Sequence, residues 1–476
     1  MTLRKITVTE EQIDGGKWKG RNSTLHAAAG LIGYVDGNQN VTITDCRVAG
    51  TKDNPVSITG RDCTAGMVGY VNLNASCTLK INNTGSDAAV EWLKLSSSSE
   101  DAGGLIGYVN NGQIVINGTE SHPLTVQNVT LDAQKQAGAV IGETKAVKVN
   151  GENVKVTDST ITSGISTGGL IGEYGTYNQS GSSLKQITVT DVTVQEKSPS
   201  TASNTENGQG GVLGKCSGTL TLEKVTVKST AAGKACTIQA SDTISITNKN
   251  RKKGVGGLVG SVTGNTGKLT LKECSVSTAT VKAGDISATA TELSFPVSVG
   301  GVVGYTGVGS SLVVTGAVTA ENLTVTTFAN RGSLGDTTRN NVNRFTAGGI
   351  FGSVRGYLTA VNNSGQEESN FVAELSAKNN TVTGMYAGGI GGYYDGSGNY
   401  YVLLKGKAGS KLVDGGTVTG GQAAGGLFGQ LGMSTGSLYL NPEKGTTPLV
   451  VSGVIVSGMD AGGVAGSISA SKDTRI

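Results

Sequence analysis

The sequence predicts an all-β protein, a right-handed parallel β-helix (β-solenoid) of about twelve coils with lateral loops. Three observations carry that prediction. A five-residue box, small-small-apolar-apolar-Gly, returns twelve times. Short runs that alternate aliphatic residues with Thr or Lys fill the intervals, and apolar spacing of helical period is nearly absent. Glycine is abundant at 75 residues and proline scarce at six, without the G-X-Y period of collagen.

The box begins at Ala29, Ala65, Gly103, Gly138, Gly168 and Gly210, then at Gly256, Gly300, Gly348, Gly388, Gly425 and Gly462. Its glycines are read as structural, stacked from coil to coil because glycine lets backbones approach closely. They include Gly30, Gly33, Gly66, Gly69, Gly104, Gly107, Gly169 and Gly172, and later Gly257, Gly260, Gly301, Gly304, Gly349 and Gly352. The third box position is Leu, Ile, Val or Met in every copy and is assigned to the core. The fourth should face the opposite way in a strand. Cover by lateral loops is the favoured explanation there, over an exposed apolar stripe.

Box starts lie 30 to 48 residues apart. The shortest unit holds Val147-Lys148-Val149, Val154-Lys155-Val156 and Ser159-Thr160-Ile161-Thr162 beside its box. That suggests about three short strands per coil, and a rod of roughly 55–60 Å if coils stack at the usual strand spacing. The rival topology is a chain of small antiparallel sandwiches joined by hairpins. Residues 1–28 are read as an N-terminal strand or cap region and 29–476 as the solenoid. The long units place the largest candidate binding loops between Thr315 and Thr346 and between Gly356 and Met385. The chain runs only ten residues past its last box, so an excised piece of a longer protein is expected.

Reactive groups are few. The net charge is +3, which argues against nucleic acid, and the compact basic run Arg251-Lys252-Lys253 is read as a solvated loop. Cys46, Cys63, Cys77, Cys216, Cys236 and Cys274 form no C-x-x-C pair. They are read as buried thiols, with a few disulfides as the alternative. No apolar stretch is long enough to span a bilayer, and Met1 to Gly20 lacks a signal-peptide apolar region. His26 and His122 are the only histidines, too few for triads or His-rich metal sites. Asp45, Asp158, Asp191 and Glu273 precede similar strands and could align as a ladder, although turn-forming acids are the default reading. Asp395-Gly396-Ser397-Gly398-Asn399 resembles part of a calcium loop but lacks the downstream acid, so a plain turn is expected. No catalytic centre, metal site or cofactor is read.

Tyr34, Tyr70 and Tyr108 follow consecutive boxes and should stack as a ladder. The ladder is a candidate ligand-facing row for sugar stacking; cover of the core edge is the favoured alternative. Thr-x-Thr runs such as Thr42-Ile43-Thr44 raise ice binding, which needs threonines aligned over many coils on one flat face. Lys and Glu interrupt such runs, as at Leu222-Glu223-Lys224, and count against it.

The G-G-L-V-G theme, intact as Gly256-Gly257-Leu258-Val259-Gly260, resembles the GLUG-motif repeats of bacterial cell-surface and secreted proteins. The resemblance spans Ala29 to Gly466, with longer and less regular spacing than the compact family unit. It implies an extracellular bacterial scaffold of β-helical build and no activity, and no H-E-x-x-H motif is present. The leading expectation is thus a non-enzymatic, adhesin-like surface or secreted scaffold. Its signal and anchor would lie outside this chain, and its loops would meet a host or cell-surface glycan or protein. Two alternatives stand beside it. One is a carbohydrate-active β-helix enzyme with two carboxylates from neighbouring coils in a groove. The other is a subunit of an end-to-end fibre joined through terminal strands.

Overall fold

The computed structural model describes residues 2–3, 7–9, 26–85, 89–145, 147–175, 181–197, 206–230, 234–241, 253–283, 297–329, 345–360, 370–395, 401–406, 411–432, 437–439 and 451–469. Most of the N-terminal cap region, Arg251-Lys252, Gly396 to Asn399 and the centres of both candidate binding loops lie outside them. The fifty strands among the described residues lie in sheets of 38 and 12 strands, and no helix occurs there. Each strand pairs in parallel with its counterpart one coil on, as Ile106↔Ile141 and Ile141↔Ile171 show. The molecule is a parallel β-helix, and the chain of antiparallel sandwiches does not occur.

The shortest coil shows the path. The chain runs along Ile141–Thr144, then Lys148–Thr157, Thr160–Ser163 and Ser166–Gly168. Lys148–Thr157 bends at Asn153, whose φ is +54°, and its two halves pair with different strands of the coil before. A coil therefore has five faces, numbered here from the strand after the box, instead of the three strands read from sequence. The extra corners escaped notice because they are made by single residues inside otherwise alternating runs.

Those residues adopt the left-handed conformation, which short polar side chains tolerate best. Asp45, Asn153, Gln186, Lys224 and Glu273 turn the chain from the second face to the third. Asn128, Asp158, Asp191, Thr278, Asn322 and Asn379 turn it from the third to the fourth. The four acids proposed as one ladder thus divide between two corners. Each makes a turn and keeps its own partner. Thr84 donates its amide to Asp45 at 2.6 Å, Lys234 reaches Asp158 at 2.6 Å, and Thr230 donates its amide to Asp191 at 2.9 Å. Lys224 lies 4.0 Å from Glu273.

The interior is one aliphatic column. The third box residue is buried in the inner coils, as at Leu105, Leu258 and Ile350. The fourth is buried too, in the same core, as at Ile106, Val259 and Phe351. Loop cover of an outward residue is therefore the wrong account. The chain bends across Gly104-Leu105 and its equivalents, so strand alternation does not carry across the box. Gly391 and the half-buried Ala465 are the small residues at this position; a Cβ on Gly391 would lie 3.0 Å from the Phe428 ring, which fills the gap.

The second box glycine is needed for close approach. A Cβ on Gly104 would sit 1.9 Å from the Ala139 carbonyl oxygen of the next coil, and one on Gly257 2.0 Å from that of Gly301. The fifth-position glycines repeat the constraint: a Cβ on Gly172 would meet the Gly142 carbonyl oxygen at 2.5 Å. Backbone cannot yield as a flexible side chain would, so the fifth position is glycine in all twelve boxes and the second in eleven, the buried Ala139 being the one departure.

Candidate functional site

The residue after the box forms a column on the first face. Tyr34, Tyr70, Tyr108, Glu143, Glu173 and Lys215 pair in succession. The three tyrosines stack as expected, with ring centroids 4.7 and 5.4 Å apart and planes within 14° and 17°. Tyr70 and Tyr108 are only 4% and 5% exposed and pack on Cys63. As a ligand-facing row the ladder fails, because two of its three rings are covered. It seals the edge between the first and fifth faces.

Below the tyrosines the seam turns acidic. Asp101, on the fifth face, is fully buried within hydrogen-bonding reach of Glu143. Asp101 Oδ1 accepts from the Gln136 amide at 3.1 Å, while Oδ2 has no N–H or O–H donor among the described residues. Two such carboxyls cannot both ionise easily at close range. Glu143 stacks on Glu173, which is held by Lys215 Nζ at 2.9 Å and Gln136 Nε2 at 3.0 Å. Glu173 thus has a cation and an amide donor beside it, whereas Glu143 faces the buried Asp101. Burial, then the neighbouring Glu173 charge, pushes Glu143 up to about 7; burial, then Glu143, pushes Asp101 well up.

A carboxyl raised in the folded state favours the protein while protonated, so its contribution is complete below about pH 4.5 and lost as pH rises through about 7. Glu143 is still partly exposed, which reduces the effect to about 2 kcal/mol. Denaturation midpoints should therefore fall between pH 5 and 8, with Glu143→Gln flattening that slope. A slope unchanged in the variant would refute the raised Glu143 carboxyl.

Lys253 departs from its reading as a solvated residue. It is 3% exposed and its Nζ is paired with Glu196, whose side chain is fully buried. The Ser241 amide also donates to Glu196 Oε2, at 3.0 Å. This pair ties the fourth face of one coil to the fifth face of the next.

All six cysteines are free and all but Cys46 are buried. Burial raises the thiols of Cys216 and Cys236 to about 12 and of Cys274 to about 11, which keeps them as unreactive small hydrophobes. Alkylation of the native protein at pH 8 should modify Cys46 first and leave Cys216, Cys236 and Cys274 intact until denaturant is added. Peptide mapping would check this, and early labelling of Cys216 would contradict the buried assignment. Among the described residues no cluster of three His, Cys, Asp or Glu could hold a metal. His26 donates its amide to Asp62, and His122 lies exposed beside Ser121. No helix among them is long and apolar enough to cross a membrane.

The exterior is also organised in columns. On the second face Glu152, Lys185, Glu223 and Lys272 alternate in charge, with contacts of 3.2 and 3.1 Å at either end. The fourth face differs. Thr130, Thr160, Thr193, Thr237, Thr280, Thr324, Thr381 and Thr417 pair coil to coil without interruption. All eight are at least partly exposed. A polar depression of about 290 Å³ opens elsewhere, beside Thr219, Asn265, Lys268 and Ser311, with no carboxylate in its lining.

Sequence reading missed Asp101, Glu143, Glu173, Glu196 and the threonine column. Alignment on the boxes would have found the two glutamates, since they stand where the tyrosines do. No family model, curated protein or solved structure matches the chain.

Proposed function

We propose that the chain is a non-enzymatic, adhesin-like scaffold of a bacterial surface or secreted protein, which holds loops and faces in position for a host or cell-surface glycan or protein. The observation that supports this is the unbroken in-register stacking of the box, with the strongest polar clusters turned inward as packing devices. The resemblance to GLUG-motif repeats agrees with it. A glycan and host-protein binding array tests the reading: specific capture is the expected result.

One observation favours a second reading. A carbohydrate-active enzyme needs two carboxylates from neighbouring coils, and Asp101 and Glu143 are such a pair. Asp101 is only 1% exposed, which argues against substrate access. Release of oligosaccharides from acidic polysaccharides, abolished by Asp101→Asn, would overturn the scaffold proposal. The fibre alternative draws on Ile455 and Met459, which are 69% and 68% exposed on the last described coil. Sedimentation that stays monomeric at high concentration would remove it.

A further inference from the structure

The threonine column of the fourth face sets a periodic array of hydroxyls, longer than strand propensity alone requires at any one position. The third face carries a mixed row, Thr188, Thr226, Ser275, Thr319 and Ser376, and one second-face column alternates charge, whereas this column keeps threonine alone through eight coils. Seven parallel steps give a row roughly 34 Å long, with hydroxyls about 4.8 Å apart. In three consecutive coils a second rank joins it, at Thr326, Thr383 and Thr419. The two ranks stand about 6.6 Å apart along the strand, on the same side of the pleat. The intervening residues Val325, Val382 and Val418 are buried, which fixes the strand and the direction of its threonines.

Threonine is stiff at χ1, so its hydroxyl and methyl occupy few positions. Each hydroxyl both donates and accepts, and waters bridging equivalent hydroxyls must take the repeat of the coils. We propose that this face binds ice, the threonine ranks holding a layer of water in a lattice that an ice surface can continue. Other ligands fit it less well. Protein hot spots favour Trp, Tyr and Arg, nucleic acid needs clustered cations, and sugar rings stack on aromatic faces. None of these residue types occurs in the column. Asp132 and Lys282 interrupt the second rank farther along, which places the strongest patch at Thr324 to Thr419. The interruption noted in the sequence at Leu222-Glu223-Lys224 lies on the second face and at its corner, away from this array.

The test freezes a dilute solution of the full chain slowly and measures the fraction captured in the ice, together with the hysteresis between melting and freezing points. Capture and a measurable hysteresis gap are expected. The triple variant Thr324→Lys, Thr381→Lys, Thr417→Lys should lose both. Lys94 already stands in the same column, so the fold accepts lysine there, and an unchanged circular dichroism melt verifies it. Thr221→Lys with Thr270→Lys, on the second face, should change neither readout. Exclusion of the wild-type chain from ice would overturn the proposal. So would equal capture of the triple variant. Exclusion from ice combined with threonine-dependent retention on an insoluble polysaccharide would reassign the face to that polymer. The scaffold reading fails on turnover and this one on ice capture, so each stands or falls separately.

Discussion

Gly301→Ala is expected to destabilise the rod by about 3 kcal/mol, the upper range for overpacking, because backbone has to move. A Cβ there would stand 2.0 Å from the Gly349 carbonyl oxygen and 2.8 Å from the Leu323 side chain. The carbonyl's peptide group belongs to the coil-to-coil ladder, since the Ile350 amide on the same peptide donates to Ile390 and the Gly349 amide to Gly388. Relief therefore means breaking main-chain bonds between coils, and in a solenoid each interface is shared with only two neighbours. Gly463→Ala supplies the internal control. Gly463 holds the same box position in the last coil, where an added methyl would find nothing within 4 Å, and its replacement should stay within about 0.5 kcal/mol of the parent. Guanidinium unfolding of both variants would decide the matter. Equal midpoints would refute close approach as the reason for the glycine.

Lys253→Met should cost about 3–5 kcal/mol, since it leaves the Glu196 carboxylate buried without its cation. The Ser241 amide remains as a donor but carries no full charge. The double variant Lys253→Met with Glu196→Gln should recover most of the loss, because the burial penalty of an ion disappears with the ion. Unfolding midpoints of the single and double variants form the test. If the double variant is no more stable than the single, the penalty lies in lost packing of the lysine stem and the electrostatic account is wrong.

Both predictions concern positions whose decisive neighbours lie far off in the chain, Gly349 beside Gly301 and Glu196 beside Lys253. The tyrosine ladder was legible because its members follow the box directly, and the box sets their register. The threonine column was not. From Thr324 to the next box start at Gly348 the chain takes 24 residues, while from Thr417 to Gly425 it takes eight. Insertions of unequal length sit between the fourth face and the box, so equal spacing in space becomes unequal spacing in sequence. Lys253 misled for a related reason. Its run of three basic residues looks like a solvated loop, and only its pairing opposite Asn207 brings it beside Glu196.

By itself, the sequence determined the β-helical class, the count of twelve coils and the identity of the main core positions. Those follow from local pattern: a box of glycine with an occasional alanine, and aliphatic alternation that buries one side of each strand. The tertiary structure alone decided the five faces of a coil, the inward turn of the fourth box residue, the Asp101–Glu143 and Glu196–Lys253 pairs and the unbroken threonine row. The physical reason is register. Main-chain pairing between coils sets which distant residues become neighbours, and it operates on the folded path of the chain, where loops of any length count as nothing.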